Sequence, residues 1–150
     1  MSDFIIRIAN LEDVGQVANL FDQYRQFYEQ TPDIALATQF IGERMAKQES
    51  VILLAENAGE IVGFCQMYPT FCSVEAASIV VLYDLFVGKS ARKTGAGRAL
   101  MLAAQDYAKQ NGFVRLYLST VKTNQVAQAL YESLGWERDE VYFSYNLAAN

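Results

Sequence analysis

The residues with the clearest chemical potential lie in the run SARKTGAGRAL, residues 90 to 100. Gly95 and Gly97 allow a tight turn and expose backbone N–H groups without a Cβ atom in the way. A helix beginning here would add the positive end of its dipole. Three cationic side chains surround the turn: Arg92, Lys93 and Arg98. The segment predicts a cradle for a diphosphate, although the glycines alone could equally shape a plain turn into a helix.

The spacing of this loop excludes two better-known phosphate loops. A Walker loop requires Gly, four residues, then Gly-Lys-Ser or Gly-Lys-Thr, and no such run exists in the chain. The Rossmann fingerprint requires a third glycine, where this chain has Leu100, and normally follows the first strand of its domain. Nucleoside triphosphates and dinucleotides are therefore disfavoured as ligands.

Acid–base chemistry must rest on few residues, because the chain has no histidine. Asp84 is the one charge in SIVVLYDLFV, residues 78 to 87. It could anchor a cationic substrate or act as a base through water, and it could equally face solvent or pair with a lysine. Cys65 and Cys72 lack metal-ligand spacing, so we expect reduced packing residues and no metal site.

The elements that must position these residues follow from apolar periodicity and turn residues. The predicted order is βααβββαβαβ: strand 4–8, helices 11–28 and 34–47, a hairpin over 51–68, strand 78–87, helix 95–111, strand 113–119, helix 124–134 and strand 141–147. Residues 69 to 78 are expected to form a loop. This pattern predicts one α/β domain over residues 1–150 with a mixed sheet, whose β–α–β unit over 78–119 is a right-handed crossover.

Alternation in strand 78–87 predicts its two faces. One face would carry Tyr83, Leu85 and Val87, and the other Leu82, Asp84 and Phe86.

Composition sets the broad class of the protein. The 150 residues are 52% hydrophobic, enough for one core, and the formal charge of −5 disfavours a nucleic-acid partner while mildly favouring a cationic substrate. No run is long and apolar enough to predict a membrane span, and the N-terminus shows no secretion signal. We therefore expect a cytoplasmic protein.

Two segments in sequence order resemble the GNAT superfamily of acetyltransferases. The run from Arg92 to Gly97, after the strand YDLFV, is similar to its acetyl-CoA pyrophosphate motif, Arg/Gln-x-x-Gly-x-Gly/Ala. The run NQVAQALYESLGW, residues 124 to 136, resembles a second signature of that superfamily. The resemblance covers essentially the whole chain. It implies a GNAT-like fold with splayed central strands around acetyl-CoA, and transfer of the acetyl group to a primary amine in a ternary complex.

The resemblance also implies roles for individual residues. Tyr131 would protonate the leaving coenzyme A thiolate, and the N–H of Val87 would stabilise the thioester oxyanion. The pantetheine arm would pair with the main chain of Leu85 to Val87, and Asn124 would hold its amide beside the small Ala127. The implied cofactor contacts are Leu85, Phe86, Val87, Arg92, Lys93, Thr94, Gly95, Ala96, Gly97, Arg98, Asn124 and Ala127.

Each of these roles has an ordinary alternative. Tyr131 could be a core aromatic residue, and Asn124 could be a helix N-cap, which excludes cofactor contact unless different atoms do each job. Polyamine acetyltransferases, which strand 78–87 resembles, have two adjacent acidic residues where this chain has Tyr83 and Asp84.

The acceptor pocket is expected near residues 24–33 and 69–78. In the first segment, Tyr24, Phe27, Tyr28, Glu29 and Asp33 would suit a cation, although helix packing also explains them. Tyr28, Glu29 and Tyr83 are the candidate acceptor contacts.

Three alternatives stay open. The acceptor could be a protein lysine or N-terminus, the chain could be a non-catalytic acyl-CoA-binding module, and VYFSYNL, residues 141–147, could contribute to a homodimer as readily as to its own sheet.

Overall fold

The computed structural model describes residues 4–149, and within them five strands and four α-helices form. The strands are β1 (Ile5–Ile8), β2 (Val51–Asn57), β3 (Glu60–Cys72), β4 (Ala77–Val87) and β5 (Leu116–Tyr117). The α-helices are α1 (Val14–Phe27), α2 (Ile34–Ala46), α3 (Ala96–Gln110) and α4 (Gln125–Ser133). Short 3₁₀ turns cover Leu11–Asp13 and Lys89–Ala91. The chain folds as two compact units, one ending at Leu118 and one beginning at Ser119.

Side-chain caps begin the N-terminal helical segments. Asn10 Oδ1 accepts from the Glu12 N–H at 2.9 Å, and the Asn10 N–H donates to Asp13 Oδ2 at 2.8 Å. These two bonds form a reciprocal capping box. Asp33 Oδ1 accepts from the Leu36 N–H at 3.1 Å and caps α2.

The first unit is built on a mixed sheet in the order β1-β2-β3-β4-β5. Its neighbours are antiparallel except β4 and β5, which are parallel and joined through α3. On one face, α1 and α2 enclose a core that includes Phe21, Ile41, Phe64 and Phe86. On the other face, Leu100 of α3 packs close to Gly63, where a Cβ atom would lie 3.4 Å from Leu100 Cδ1. The predicted mixed α/β fold is confirmed.

The expected loop over residues 69–78 is wrong. Pro69 to Cys72 continue β3, Ala77 and Ser78 begin β4, and only a short turn separates the strands. Proline is tolerated in a strand where its missing N–H is not needed by the ladder, so Pro69 misleads as a loop signal.

The predicted faces of β4 need one correction, because a β-bulge inserts Tyr83 as an extra residue. Gln66 pairs with Asp84 while the next residue, Met67, pairs with Leu82. Consecutive β3 residues point to opposite faces, and paired residues share a face. Asp84 therefore lies on the α1/α2 face with Phe86, and Leu82 lies on the opposite face, not beside them.

In the second unit, α4 begins at the Asn124 cap, whose Oδ1 accepts from the Ala127 N–H at 3.2 Å. It ends as predicted before Gly135, whose φ of 92° is the left-handed geometry that glycine favours. The predicted strand over 141–147 is wrong, because those residues form no regular element. An alternating pattern makes a strand only when a neighbouring strand pairs with its backbone. None of the helices within residues 4–149 is long and apolar enough to cross a membrane.

Candidate functional site

The glycine loop has the geometry of an anion cradle. Gly95 is the N-cap of α3 with φ of 94°, and it provides no side chain to cap the helix. The first amides of a helix lack partners inside the helix, so those at the start of α3 are directed toward a ligand position. Lys93 also has a positive φ, 63°, and Thr94 Oγ1 donates to the Ala91 carbonyl, which fixes the turn. The turn therefore fits a diphosphate such as that of a coenzyme A group.

The side chains around this turn differ in their position. Arg92, Lys93 and Arg98 are exposed, Gly97 is half-buried, and Ala96 is buried in the first turn of α3. Arg92 lies back toward β4: its Nε donates to the Val87 carbonyl at 3.1 Å, and its guanidinium lies 5.5 Å from the Phe86 ring centroid. Arg92 therefore connects the glycine loop with the end of β4.

Beyond the bulge, β4 has main-chain groups that point away from β3. Near its start, the Val80 N–H donates to Arg115 at the β5 edge, while beyond its end the Gly88 N–H donates back to Val62 of β3. Residues of an antiparallel strand alternate in the side to which both backbone groups point. In a regular strand, the main-chain groups of residues 80 and 88 would point to the same side. They point to opposite sides here, because the bulge between them shifts the alternation by one residue. The main-chain groups of Leu85 and Val87 therefore point away from β3. The main-chain groups of Phe86 point toward β3, where Phe86 pairs with Phe64. Of Leu85, Phe86 and Val87, Phe86 is therefore the residue whose main chain is used within the sheet.

β5 pairs with only the first part of β4. The pairing between β4 and β5 covers only Val80 with Leu116 and Val81 with Tyr117. From Leu82 to Val87, β4 has no strand beside its outer edge within residues 4–149. An extended chain carrying amide groups could pair with this edge like an added strand.

Asp84, the residue after the bulge in β4, is a buried carboxylate that is only 5% exposed. Gln66 Nε2 donates to Asp84 Oδ2 at 2.7 Å, and Ser50 Oγ donates to Gln66 Oε1 at 2.8 Å. No salt bridge to Asp84 is formed within the part of the chain that the structure describes. Burial raises the pKa of Asp84, and hydrogen bonds from Gln66 and Tyr24 oppose that rise only in part.

Aromatic residues lie near Asp84: Tyr24 hydrogen-bonds to its carboxylate, and Tyr68 is close enough to be affected by its charge. The Tyr24 ring lies 6.0 Å from Phe86 and 5.2 Å from Tyr28, and its hydroxyl lies 3.4 Å from the Tyr83 carbonyl oxygen. Tyr68 contacts the Tyr83 ring at 5.7 Å, and burial together with the Asp84 charge raises the pKa of Tyr68 to about 12. A carboxylate among ring faces is a favourable setting for an ammonium group.

The candidate acceptor contacts divide into two groups. Tyr83 is exposed in the bulge and Tyr28 ends α1, and both contact the rings around Asp84. Glu29 follows in an exposed turn with φ of 63°. Ring contacts therefore connect Tyr28 with Tyr24 and Tyr83 with Tyr68, the two tyrosines near Asp84.

The three remaining candidates lie in the second unit. Asn124 uses Oδ1 as the cap of α4, so any contact with a ligand must use its Nδ2 group. Ala127 supplies the capped N–H, and Tyr131 lies further along the same helix, half-buried, with its ring 6.2 Å from Trp136.

Sequence reasoning missed Gln66 and Ser50. The signal that singled out Asp84, one charge in an apolar strand, also exists for Gln66, the one amide in the buried run of β3. Nothing in the sequence marks the bulge at Tyr83, because its position depends on the pairing of two strands.

Comparisons with known proteins agree with this geometry. The model of the acetyltransferase (GNAT) family matches residues 15–136. An uncharacterised N-acetyltransferase, YhfO of Bacillus subtilis, is 48% identical over 142 residues, which are 95% of each chain.

Solved structures show the same fold. A probable acetyltransferase has a TM-score of 0.91 at 34% identity, over 97% of this chain and 98% of its own. An aminoglycoside N-acetyltransferase solved in complex with CoA has a TM-score of 0.82 at 20% identity, over 98% and 96% of the two chains. The second likeness supports the fold alone. Together with the family match, these findings show that the chain belongs to the GNAT family and is an acetyl-CoA-dependent N-acetyltransferase.

Proposed function

We propose that this enzyme transfers the acetyl group to a primary amine by direct attack within a ternary complex, with Asp84 receiving the acceptor. The observation that carries the proposal is a buried carboxylate that has neutral hydrogen-bond donors and lies near Tyr24 and Tyr68. A buried carboxylate of this kind is stabilised by an incoming cation. An alkyl ammonium is the cation that becomes a nucleophile when it loses a proton.

Asp84 then serves the proton transfer. An ammonium with a pKa near 10 is neutral in only about one molecule in a thousand at pH 7, so its attack requires a base. The raised pKa of Asp84 brings this carboxyl closer to neutrality, where a base is more effective. Asp84 takes the proton directly or through one water, and the neutral amine attacks.

Direct attack is favoured over a covalent enzyme intermediate. Cys65 pairs with Leu85 across β3 and β4, but it is fully buried. Burial and the Asp84 charge raise the pKa of the Cys65 thiol far above its usual range, so the reactive thiolate is not formed.

Acetyl-CoA supplies the activated acetyl group, and the first unit supplies its binding groups. The amides at the start of α3, with Arg92, Lys93 and Arg98 around them, hold the diphosphate. Leu85 and Val87 offer main-chain groups to the pantetheine arm along the open edge of β4. The N–H of Val87 stabilises the developing oxyanion, an effect typically worth about 3 kcal/mol.

The second unit contributes the remaining roles in this proposal. Asn124 donates from Nδ2 to a pantetheine carbonyl, Ala127 leaves space for the arm, and the hydroxyl of Tyr131 protonates the leaving thiolate. We therefore treat residues 1–150 as one catalytic domain, which the family match across both units supports. Two free cysteines support a cytoplasmic location.

The test is Tyr131→Phe, with Tyr107→Phe on α3 as its matched control. Acetyl-CoA binding is followed by calorimetry and turnover by coenzyme A release. We expect Tyr131→Phe to bind acetyl-CoA normally and to lose roughly 10- to 100-fold in kcat, while Tyr107→Phe keeps both. Full turnover of Tyr131→Phe would refute the proton-donor role. Turnover by neither the variant nor the parent with any amine would refute the acceptor assignment.

A further inference from the structure

Three polar side chains form a row across the α1/α2 face of the sheet. Gln66 of β3 pairs with Ile52 of β2 on one side and with Asp84 of β4 on the other. Paired residues share a face, and Ile52 belongs to the apolar core on that face. Ser50, just before β2, reaches the same row through its hydrogen bond to Gln66. The row therefore connects the start of β2 with the candidate base through a buried amide.

The hydrogen bonds of this row run in one direction. Ser50 Oγ donates to Gln66 Oε1 at 2.8 Å, and Gln66 Nε2 donates to Asp84 Oδ2 at 2.7 Å. A hydroxyl that donates to an amide oxygen polarises the amide and strengthens the bond that its NH₂ group donates. The positive ends of the hydroxyl and amide dipoles both face the carboxylate, so both groups stabilise its charge.

The row can also serve the protonated form of Asp84. Gln66 is fully buried, so its amide must find its partners within the protein. A protonated carboxyl is a donor, and an amide turned by half a rotation accepts from it. The Ser50 hydroxyl both donates and accepts, so it is a partner for the amide in either orientation. A base that gains and loses a proton in a buried site requires a neighbour of this kind.

The turn between α2 and β2 determines the position of Ser50. Gln48 has a φ of 53°, and the Glu49 N–H donates to the Arg44 carbonyl at 2.9 Å. Arg44 Nε and Glu49 Oε1 form an ion pair 3.1 Å apart. These contacts hold the turn, and with it Ser50, at the start of β2.

We propose that Ser50 is a positioning residue for the reaction and acts on Asp84 through the amide of Gln66. The inference rests on the proposed function, in which Asp84 takes the proton of the acceptor amine. The Ser50 hydroxyl keeps the amide polarised toward Asp84 while the carboxylate is charged. It allows the amide to reverse once the carboxylate has gained the proton.

Other ionisable groups must be distinguished from Asp84 in any titration. Those near Asp84, or near Tyr68 beside it, come from α1, α2, the turn after α2, β3 and the bulge of β4: Tyr24, Arg44, Glu49, Cys65, Tyr68 and Tyr83. Burial, together with the Asp84 charge, raises the pKa of Cys65 and raises that of Tyr68 to about 12. The Asp84 signal is therefore assigned by its loss in Asp84→Asn.

The first test compares Ser50→Thr with Ser50→Val, because these side chains have nearly the same shape and differ in the hydroxyl group. The carboxyl carbon of Asp84 is titrated by NMR in protein labelled with ¹³C at aspartate, which needs neither acetyl-CoA nor an amine. We expect Ser50→Thr to titrate like the parent. Ser50→Val should shift the Asp84 titration to higher pH, because the charged form loses part of its stabilisation. Ser50→Ala, which adds no bulk, should shift it in the same direction.

A double-mutant cycle tests whether Gln66 is the link. In Gln66→Met the amide is absent, so adding Ser50→Val should produce no further shift of the Asp84 titration. An equal shift in both backgrounds would show that Ser50 acts by another route and would overturn the proposal. An unchanged titration in both Ser50→Val and Ser50→Ala would overturn it as well.

The pH profile of kcat/KM with an accepted amine connects the row with the reaction. We expect the acidic limb to move to higher pH in Ser50→Val and Ser50→Ala and to keep the parent's position in Ser50→Thr. Full turnover by Asp84→Asn would refute the proposed function, whatever the Ser50 variants do. An inactive Asp84→Asn together with an unmoved acidic limb in Ser50→Val would refute the role of Ser50 alone.

Discussion

Asp13 and Asp84 are equally buried, 6% and 5% exposed, but their surroundings are opposite. Asp13 accepts two hydrogen bonds from the Arg7 guanidinium, at 2.8 and 2.9 Å, and a third from the Asn10 N–H. These donors hold the pKa of Asp13 below its usual value. Asp84 has the neutral amide of Gln66, and its burial raises its pKa.

We propose that this difference separates a structural carboxylate, Asp13, from a reactive one, Asp84. A charge that is paired and capped stabilises the fold and is unavailable to a substrate. A charge buried without a cation costs stability, and folds retain such groups mainly at functional sites. Burial alone therefore says nothing about function, and the partners of each carboxylate decide it.

The largest effect should come from Asp84→Asn. Without a base or cation anchor, we expect kcat/KM for the amine to fall about 100-fold or more. The melting temperature should stay the same or rise, because a buried charge is removed. Steady-state kinetics and calorimetry on one preparation measure both. An Asp84→Asn enzyme that keeps full activity would show that Asp84 is a structural carboxylate, as Asp13 is.

Asp13→Asn should have the reverse effect. Loss of charge-assisted hydrogen bonds to Arg7 and of the capping box should lower the free energy of unfolding by about 2 kcal/mol. The kinetic constants should be unchanged below the melting transition. Urea denaturation measures the stability, and a large fall in kcat with an intact fold would contradict the distinction.

The pH dependence of stability should have opposite signs for the two residues. The pKa of Asp13 is lowered on folding, so its stabilisation is present above the unfolded value near 3.8 and is lost as the pH falls below it. The pKa of Asp84 is raised, so folding is penalised increasingly as the pH rises above that same range.

Melting temperatures between pH 4 and 8 test these signs. The advantage of Asp84→Asn over the parent should grow with pH across this range. The deficit of Asp13→Asn should stay near its full size across this range and should shrink only when the curves are extended below about pH 4. Parallel curves for the parent and Asp84→Asn would show that the Asp84 pKa is not raised.

The smallest effect should come from Gln66→Met, which keeps the volume and removes the donor to Asp84. The lost hydrogen bond stabilised the charged form, so the pKa of Asp84 should rise further. The acidic limb of the kcat/KM profile should move to higher pH, with a several-fold loss near neutrality and recovery at alkaline pH. Gln39→Met, on the surface of α2, is the control, and an equal loss at every pH would point to misfolding instead.

The sequence predicts most of this fold, because caps and turns are local signals. Asn124 caps α4 in the structure, and Gly135 follows its end, as the sequence indicates. Predictions that depend on strand pairing fare worse. Residues 69–78 are mostly strand, and Val141 to Leu147 are not a strand at all.

The candidate site divides in the same way. The glycine loop can be predicted because its residues are neighbours in the sequence. The positive φ of Gly95 is the backbone conformation that a glycine in this turn allows. The direction of the Val87 main chain and the face of Asp84 depend on the bulge at Tyr83, which arises between two strands and leaves no local signature. The hydrogen bonds from Ser50 through Gln66 to Asp84 join the residue before β2 with β3 and β4, so only the folded structure reveals them.

Coenzyme A release from acetyl-CoA, measured over a panel of amines by a method insensitive to Cys65 and Cys72, tests the central claim most directly. The panel includes polyamines, amino acids, aminoglycosides and lysine-containing peptides, and the parent is compared with Asp84→Asn. We expect at least one class of primary amine to accelerate release by the parent, and Asp84→Asn to lose that acceleration while still binding acetyl-CoA. Equal acceleration in both proteins, or none by any amine despite binding, would contradict the assignment of Asp84 to the acceptor.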